Sequence, residues 1–174
     1  MRPYRSLFVC LLCLCFGLKA KAQTSTTFVV YDSLPQLISR LKSDTNLTMV
    51  VKFWATWCKP CVEELPYFEE YNQRYETQKV KVLLVSLDFK SQLQKKFIPF
   101  LETAKLKSEV VLFADQDANA WIPYFDQEWD GAIPATYVIK GQRNGFHQGK
   151  FADFNDLESF IKPFRGPSPS APGR

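Results

Sequence analysis

The 174-residue chain is poor in metal-ligating and redox side chains: one histidine (His147), two methionines and five cysteines. Three of those cysteines, Cys10, Cys13 and Cys15, fall within the first 22 residues. That stretch has the build of an export signal. Basic "MRPYR" is followed by apolar "SLFVCLLCLCFGL", then by Ala20 and Ala22 in an Ala-x-Ala pattern. The apolar run from Leu7 to Leu18 is shorter than the about 20 residues a spanning helix needs. Leu14, just before Cys15, is not the small residue a lipoprotein signal carries there. Residues 1–22 are therefore expected to be a signal peptide cleaved near Ala22, and the bacterial periplasm is the expected destination.

What remains lacks more still. Beyond residue 22 the potential ligands are Cys58, Cys61, Met49 and His147. A structural zinc needs about four Cys or His ligands, and covalent haem needs C-x-x-C-H where this chain has Val62. No metal and no other cofactor is expected. There is no excess charge either: removing Arg2, Arg5, Lys19 and Lys21 from the 22 basic residues leaves 18, equal to the 18 acids. Nothing then argues for nucleic acid or an anionic surface as a partner. There are no internal repeats. Residues 167–174 are a Pro/Ser/Gly tail with too little apolar surface to fold. Residues 23–166 suffice for one domain with a sizeable core.

Within that domain the hydrophobic pattern alternates between short β runs and helical spacing. An apolar run at "TFVVYD" precedes a helix over about 33–42 that Asp32 or Ser33 can cap. Strands are predicted at 49–55, 79–87, 109–114, 135–139 and 145–151, the last two joined as a hairpin by "KGQRN". Helices are predicted after Cys58, over 91–104, over 117–125 and over 153–164. The order β-α-β-α-β-α-β-β-α implies an α/β fold with parallel strands first and an antiparallel hairpin at the end. Its mixed central β-sheet carries helices on both faces.

The segment "KFWATWCKPCVEELP" (52–66) carries the chemistry. Two cysteines three positions apart close too short a loop to restrain the unfolded chain appreciably, so a purely structural disulfide is a poor explanation. A strand running into Cys58 with a helix after it puts the first cysteine at a helix N-terminus. There the free amides and the dipole favour a thiolate. Cys61 then faces the same side, and Pro60 fits a first turn.

At these residues the chain resembles the thioredoxin-like fold family. "FWATWCKPC" looks like that family's active-site segment, and "CVEELP", with Glu64 and Pro66, resembles its TlpA/ResA branch of secreted thiol-disulfide oxidoreductases. "GAIPATYVI" (131–139) resembles the family's cis-proline loop and following strand. The resemblance spans roughly residues 28–164. It implies that Cys58 attacks a client disulfide and Cys61 resolves the mixed disulfide. Ile133 and Pro134, in a cis bond, would hold the client chain, with Trp57 shaping the rim. It further implies disulfide-containing client proteins, a membrane thiol carrier of the CcdA or DsbD type as electron donor, cytochrome c maturation as one frequent role, and a monomer.

The departure from thioredoxins proper is Lys52, which stands where they have a buried acid. Its ordinary placement is to snorkel from the strand to solvent. The alternative is a pair with Glu64 beneath Cys61, leaving Glu64 to move the proton of the second cysteine with a pKa set by that burial. Lys59, between the cysteines, either stabilises the Cys58 thiolate or is merely solvated. Glu63 reads as surface. Trp129 is a candidate wall of a client groove. Asp115 and Asp117 read as loop and cap residues, and His147 as structural or exposed. A thiol peroxidase and a redox-inert chaperone or metallochaperone are the competing functions.

Overall fold

The computed structural model describes residues 27–166; the expected signal peptide and tail lie outside the described residues. Six strands form one sheet: β1 (Phe28–Tyr31), β2 (Thr48–Trp54), β3 (Val80–Ser86), β4 (Glu109–Phe113), β5 (Ala135–Lys140) and β6 (Arg143–Gln148). Their spatial order is β1-β4-β3-β2-β5-β6. β1, β4, β3 and β2 run parallel, while β5 and β6 are antiparallel additions on the far side of β2. Five helices cover it: α1 (Leu34–Leu41), α2 (Lys59–Tyr75), α3 (Ile98–Ala104), α4 (Ala118–Phe125) and α5 (Phe154–Ile161).

The continuous apolar stretches of β2 and β3 follow from burial on both faces, as helix-covered parallel strands require. Every residue of β2 is buried. Alternation sends Val50 and Trp54 to the face covered by Phe68 and Tyr71 of α2, Leu101 of α3 and Leu157 and Ile161 of α5. Met49, Val51 and Phe53 go to the opposite face, under Leu37 and Leu41 of α1 and Trp121 and Phe125 of α4. Each fully buried side chain of this size contributes roughly 1.5–3 kcal/mol of transfer free energy.

Several boundaries depart from the sequence pattern, each for a local reason. The hairpin turn is only Gly141–Gln142, since Lys140 pairs with Arg143. Gly141 supplies the positive φ (60°) that the first position of a tight II′-type turn needs. β6 therefore ends at Gln148 rather than 151. The predicted helix over 91–104 is a wide π turn at Leu93–Phe97 leading into α3. Pro99, which has no N–H to close a regular turn, sits at that junction. Neither Asp32 nor Ser33 caps α1 with its side chain. The Leu34 amide donates instead to Asp115 Oδ2 (2.7 Å), while Gln36 Oε1 accepts from the Asp32 amide. Asp117 caps α4 and Asp153 caps α5.

Candidate active site

β2 ends at Trp54, and a three-residue loop delivers Cys58 to the N-cap of α2. Its extended backbone (φ −87°, ψ 91°) lets Sγ accept the Cys61 N–H at 3.3 Å. An amide donor and a helix N-terminus at one sulfur both favour its anionic form. Cys58 and Cys61 are joined as a disulfide, with Cα atoms 5.2 Å apart. The two sulfurs are not equivalent: Cys58 is 6% exposed and Cys61 0%. Only Cys58 offers an attacking thiol or a client disulfide an approach.

The Ile133–Pro134 peptide is cis, and the Ile133 carbonyl lies 3.7 Å from Cys58 Sγ. This loop is braced from three sides. Trp129 Nε1 donates to Ala132 O (2.8 Å), the Ala132 amide donates to Asp130 Oδ1 (2.8 Å), and the Gly149 amide donates to Pro134 O (2.9 Å). Gly131, at φ 85°, packs so closely that a Cβ would stand 2.8 Å from Ile122. Trp129 is thus no wall of an open groove. It is 4% exposed, inside a cluster with Phe53, Trp121 and Phe146, and supports the loop from below. Trp57 stands out at 55% exposure beside Cys58.

Lys52 does not reach solvent. Alternation puts it on the α2 face of a central strand, and it is fully buried in an ion pair with Glu64, also fully buried. Phe68 presents its ring to the ammonium at 5.0 Å, and Glu64 Oε2 accepts the Phe151 amide at 3.0 Å. Burial holds Lys52 well below the usual lysine range. Glu64 lies one turn beyond Cys61, and both are on the buried side of α2. Lys59 and Pro60 occupy the first turn of α2. Lys59 is 87% exposed, with Glu63 4.0 Å away, and Glu63 is also paired with Lys150 (2.7 Å).

The sequence pattern did not reveal Asp88. Buried two residues past the end of β3, it accepts the Thr56 amide (2.9 Å), the Thr56 hydroxyl (2.5 Å) and the Ser86 hydroxyl (2.8 Å). It therefore fixes the loop that presents Cys58. The available signal was an acid directly after an apolar strand, which also suits an ordinary loop residue. Among the described residues no cluster of three or more His, Cys, Asp or Glu side chains is arranged for a metal.

The AhpC/TSA family pattern matches residues 24–144. Thiol-disulfide oxidoreductase ResA of Geobacillus thermodenitrificans is 32% identical over 128 residues, covering 72% of this chain and 66% of that protein. ResA of Oceanobacillus iheyensis is 30% identical over 92 residues, 53% of this chain and 43% of that protein. The chain thus spans less than two thirds of these curated relatives. A thioredoxin-related protein from Neisseria meningitidis serogroup B superposes with a TM-score of 0.59 at 19% identity, covering 71% of this chain and 88% of that one. That likeness establishes the fold as thioredoxin-like.

Proposed function

The chain belongs to the AhpC/TSA family, and we propose that, like the ResA proteins it is similar to, it is a thiol-disulfide oxidoreductase, acting outside the cytoplasm to reduce disulfides in secreted or periplasmic proteins. One observation carries this reading. A C-x-x-C pair stands at a helix N-terminus with one sulfur reachable, the other sealed, and a carbonyl of a cis-proline loop beside the first.

In the reduced protein the Cys58 thiolate attacks a client disulfide. One new S–S bond forms, and the first client sulfur leaves as a thiolate that takes a proton from water. The Cys61 thiol passes its proton to Glu64 and attacks Cys58 Sγ. The second client sulfur leaves, also taking a proton from water, and the Cys58–Cys61 disulfide is restored. The client has gained the two electrons that the dithiol lost. A membrane thiol carrier of the CcdA or DsbD type would return them. Ile133 O would pair with the client backbone, and Trp57 would contact its flank.

The test uses single-cysteine variants. C61S should accumulate a mixed disulfide with a model client such as insulin, and C58S should not. Mixed disulfide formed equally by both would refute the assignment. Direction follows from equilibrating the pair with dithiothreitol or glutathione. A potential near roughly −270 mV supports a reductase, and one near roughly −120 mV reverses the flow. Peroxide consumption by the reduced protein at a rate exceeding disulfide exchange would favour a thiol peroxidase instead.

A further inference from the structure

Cys61, Glu64 and Lys52 are all fully buried. Each catalytic cycle nevertheless takes a proton from Cys61 and later returns one, so a proton must cross the protein. The strand register shows a route. Lys52 of β2 stands directly opposite Thr136 of β5, and Thr136 stands directly opposite His147 of β6. Residues opposite one another in a sheet point to the same face. The three therefore form a polar row on the α2/α5 face, flanked by the apolar Val50, Val138 and Phe151. Two of its atoms, Thr136 Oγ1 and His147 Nε2, are buried with no hydrogen-bond partner among the described residues. Buried polar atoms are rarely left so, and two in adjacent register positions share one need.

We propose that Lys52, Thr136 and His147 form a proton path across the sheet, carrying the Cys61 proton from Glu64 to the surface at His147. The inference rests on the oxidoreductase reading. Glu64 receives the proton from the Cys61 thiol. Lys52 releases one of its own through a bridging water to Thr136 Oγ1, which it does not itself hydrogen-bond, and is refilled from Glu64. A second water between Thr136 Oγ1 and His147 Nε2 completes the row. His147 hands the proton on to bulk solvent, so its charge and that of the pair return to their starting values. The groups facing this histidine are Lys52 from β2, exposed Asp156 from α5, and the stacked ring of Phe151 (4.1 Å between centroids) with Phe160 beside it. Glu64 lies beyond Lys52. Burial keeps His147 below the usual imidazole range, Asp156 opposes that shift, and Lys52 adds to it. A partly buried imidazole of this kind releases a proton readily at neutral pH.

His147 acts through Lys52 and Glu64, not on the sulfurs, so its test needs a readout that packing cannot mimic. Reduced full-length protein is charged on Cys58 with a nitrobenzoate aryl disulfide, and release of the aryl thiol by Cys61 is followed in a single turnover from pH 5 to 9. H147F keeps a ring against Phe151 and is expected to release the aryl thiol about tenfold or more slowly near neutral pH. H147A should be slow as well, and imidazole added to the buffer should restore it in a saturable way. H147Q, the nearest polar isostere without a titrating nitrogen, should stay slow without imidazole. Wild-type rates in H147F and H147Q, or no response of H147A to imidazole, would overturn the path while leaving the oxidoreductase assignment intact. If wild-type protein itself releases no aryl thiol, the oxidoreductase reading falls and takes the path with it.

Discussion

Replacing Lys52 by methionine tests the energetics of the buried pair directly. The variant keeps most of the apolar stem beside Phe68 and removes the ammonium. Glu64 is then left fully buried with the Phe151 amide as its one remaining donor among the described residues. Taking one partner from a buried ion pair typically costs about 3–5 kcal/mol, because the survivor keeps its desolvation penalty and loses its compensation. At about 2–4 °C per kcal/mol for a domain of this size, the melting temperature of oxidised K52M should fall by roughly 6–20 °C. The double variant K52M/E64Q removes both charges, and the side-chain amide oxygen that E64Q introduces can still accept the Phe151 amide. It should therefore be more stable than K52M, although it carries one substitution more. The assay is urea denaturation of wild type, both single variants and the double, all oxidised and at one pH, read as a double-mutant cycle. Additivity within about 0.5 kcal/mol would mean that Lys52 and Glu64 do not act as a pair.

Three further outcomes are expected. Truncating Asp88 in D88A strands one amide and two hydroxyls around the Cys58 loop, so the protein should lose about 3 kcal/mol in urea denaturation; a loss below about 1 kcal/mol would mean that the loop is held by other contacts. W57A removes an exposed side chain, so its melting temperature should stay within about 2 °C of wild type while its kcat/KM falls more for a protein disulfide than for a small aryl disulfide; equal effects on both substrates would argue against a client contact. His147 makes stability depend on pH with a definite sign. Above its ordinary value of 6.5 the ring is neutral folded and unfolded, and below it the unfolded chain protonates first because the folded value is lower. Stability should therefore fall as pH drops from 6.5 toward that folded value, and H147F should remove this part of the slope, as thermal melts across the range will show.

Much of this molecule is legible without coordinates. The run that becomes β3, alternating first and then continuously apolar, marks a buried central strand because both of its faces must be dry. The strand-to-helix step at Cys58 places a sulfur among free amides because the first turn of any helix leaves them unpaired. Those are local consequences of sequence, and so is the alternation that implied a mixed sheet. The fate of Lys52 is not local. A lysine on a strand can snorkel or be sealed in, and the choice belongs to α2, whose Glu64 and Phe68 close over it. Trp129 likewise sits beside the cis-proline loop in sequence, but packs inward because Phe53 and Trp121 offer their rings there. Asp88 acquires its three donors only when the ends of β2 and β3 lie side by side. The row from Lys52 through Thr136 to His147 exists only through register, which joins residues 52, 136 and 147 across three strands. The elements and the reactive pair follow from local sequence, because each depends on neighbours a few positions away. Which charges are buried and what they face depends instead on side chains that folding brings together from distant parts of the chain.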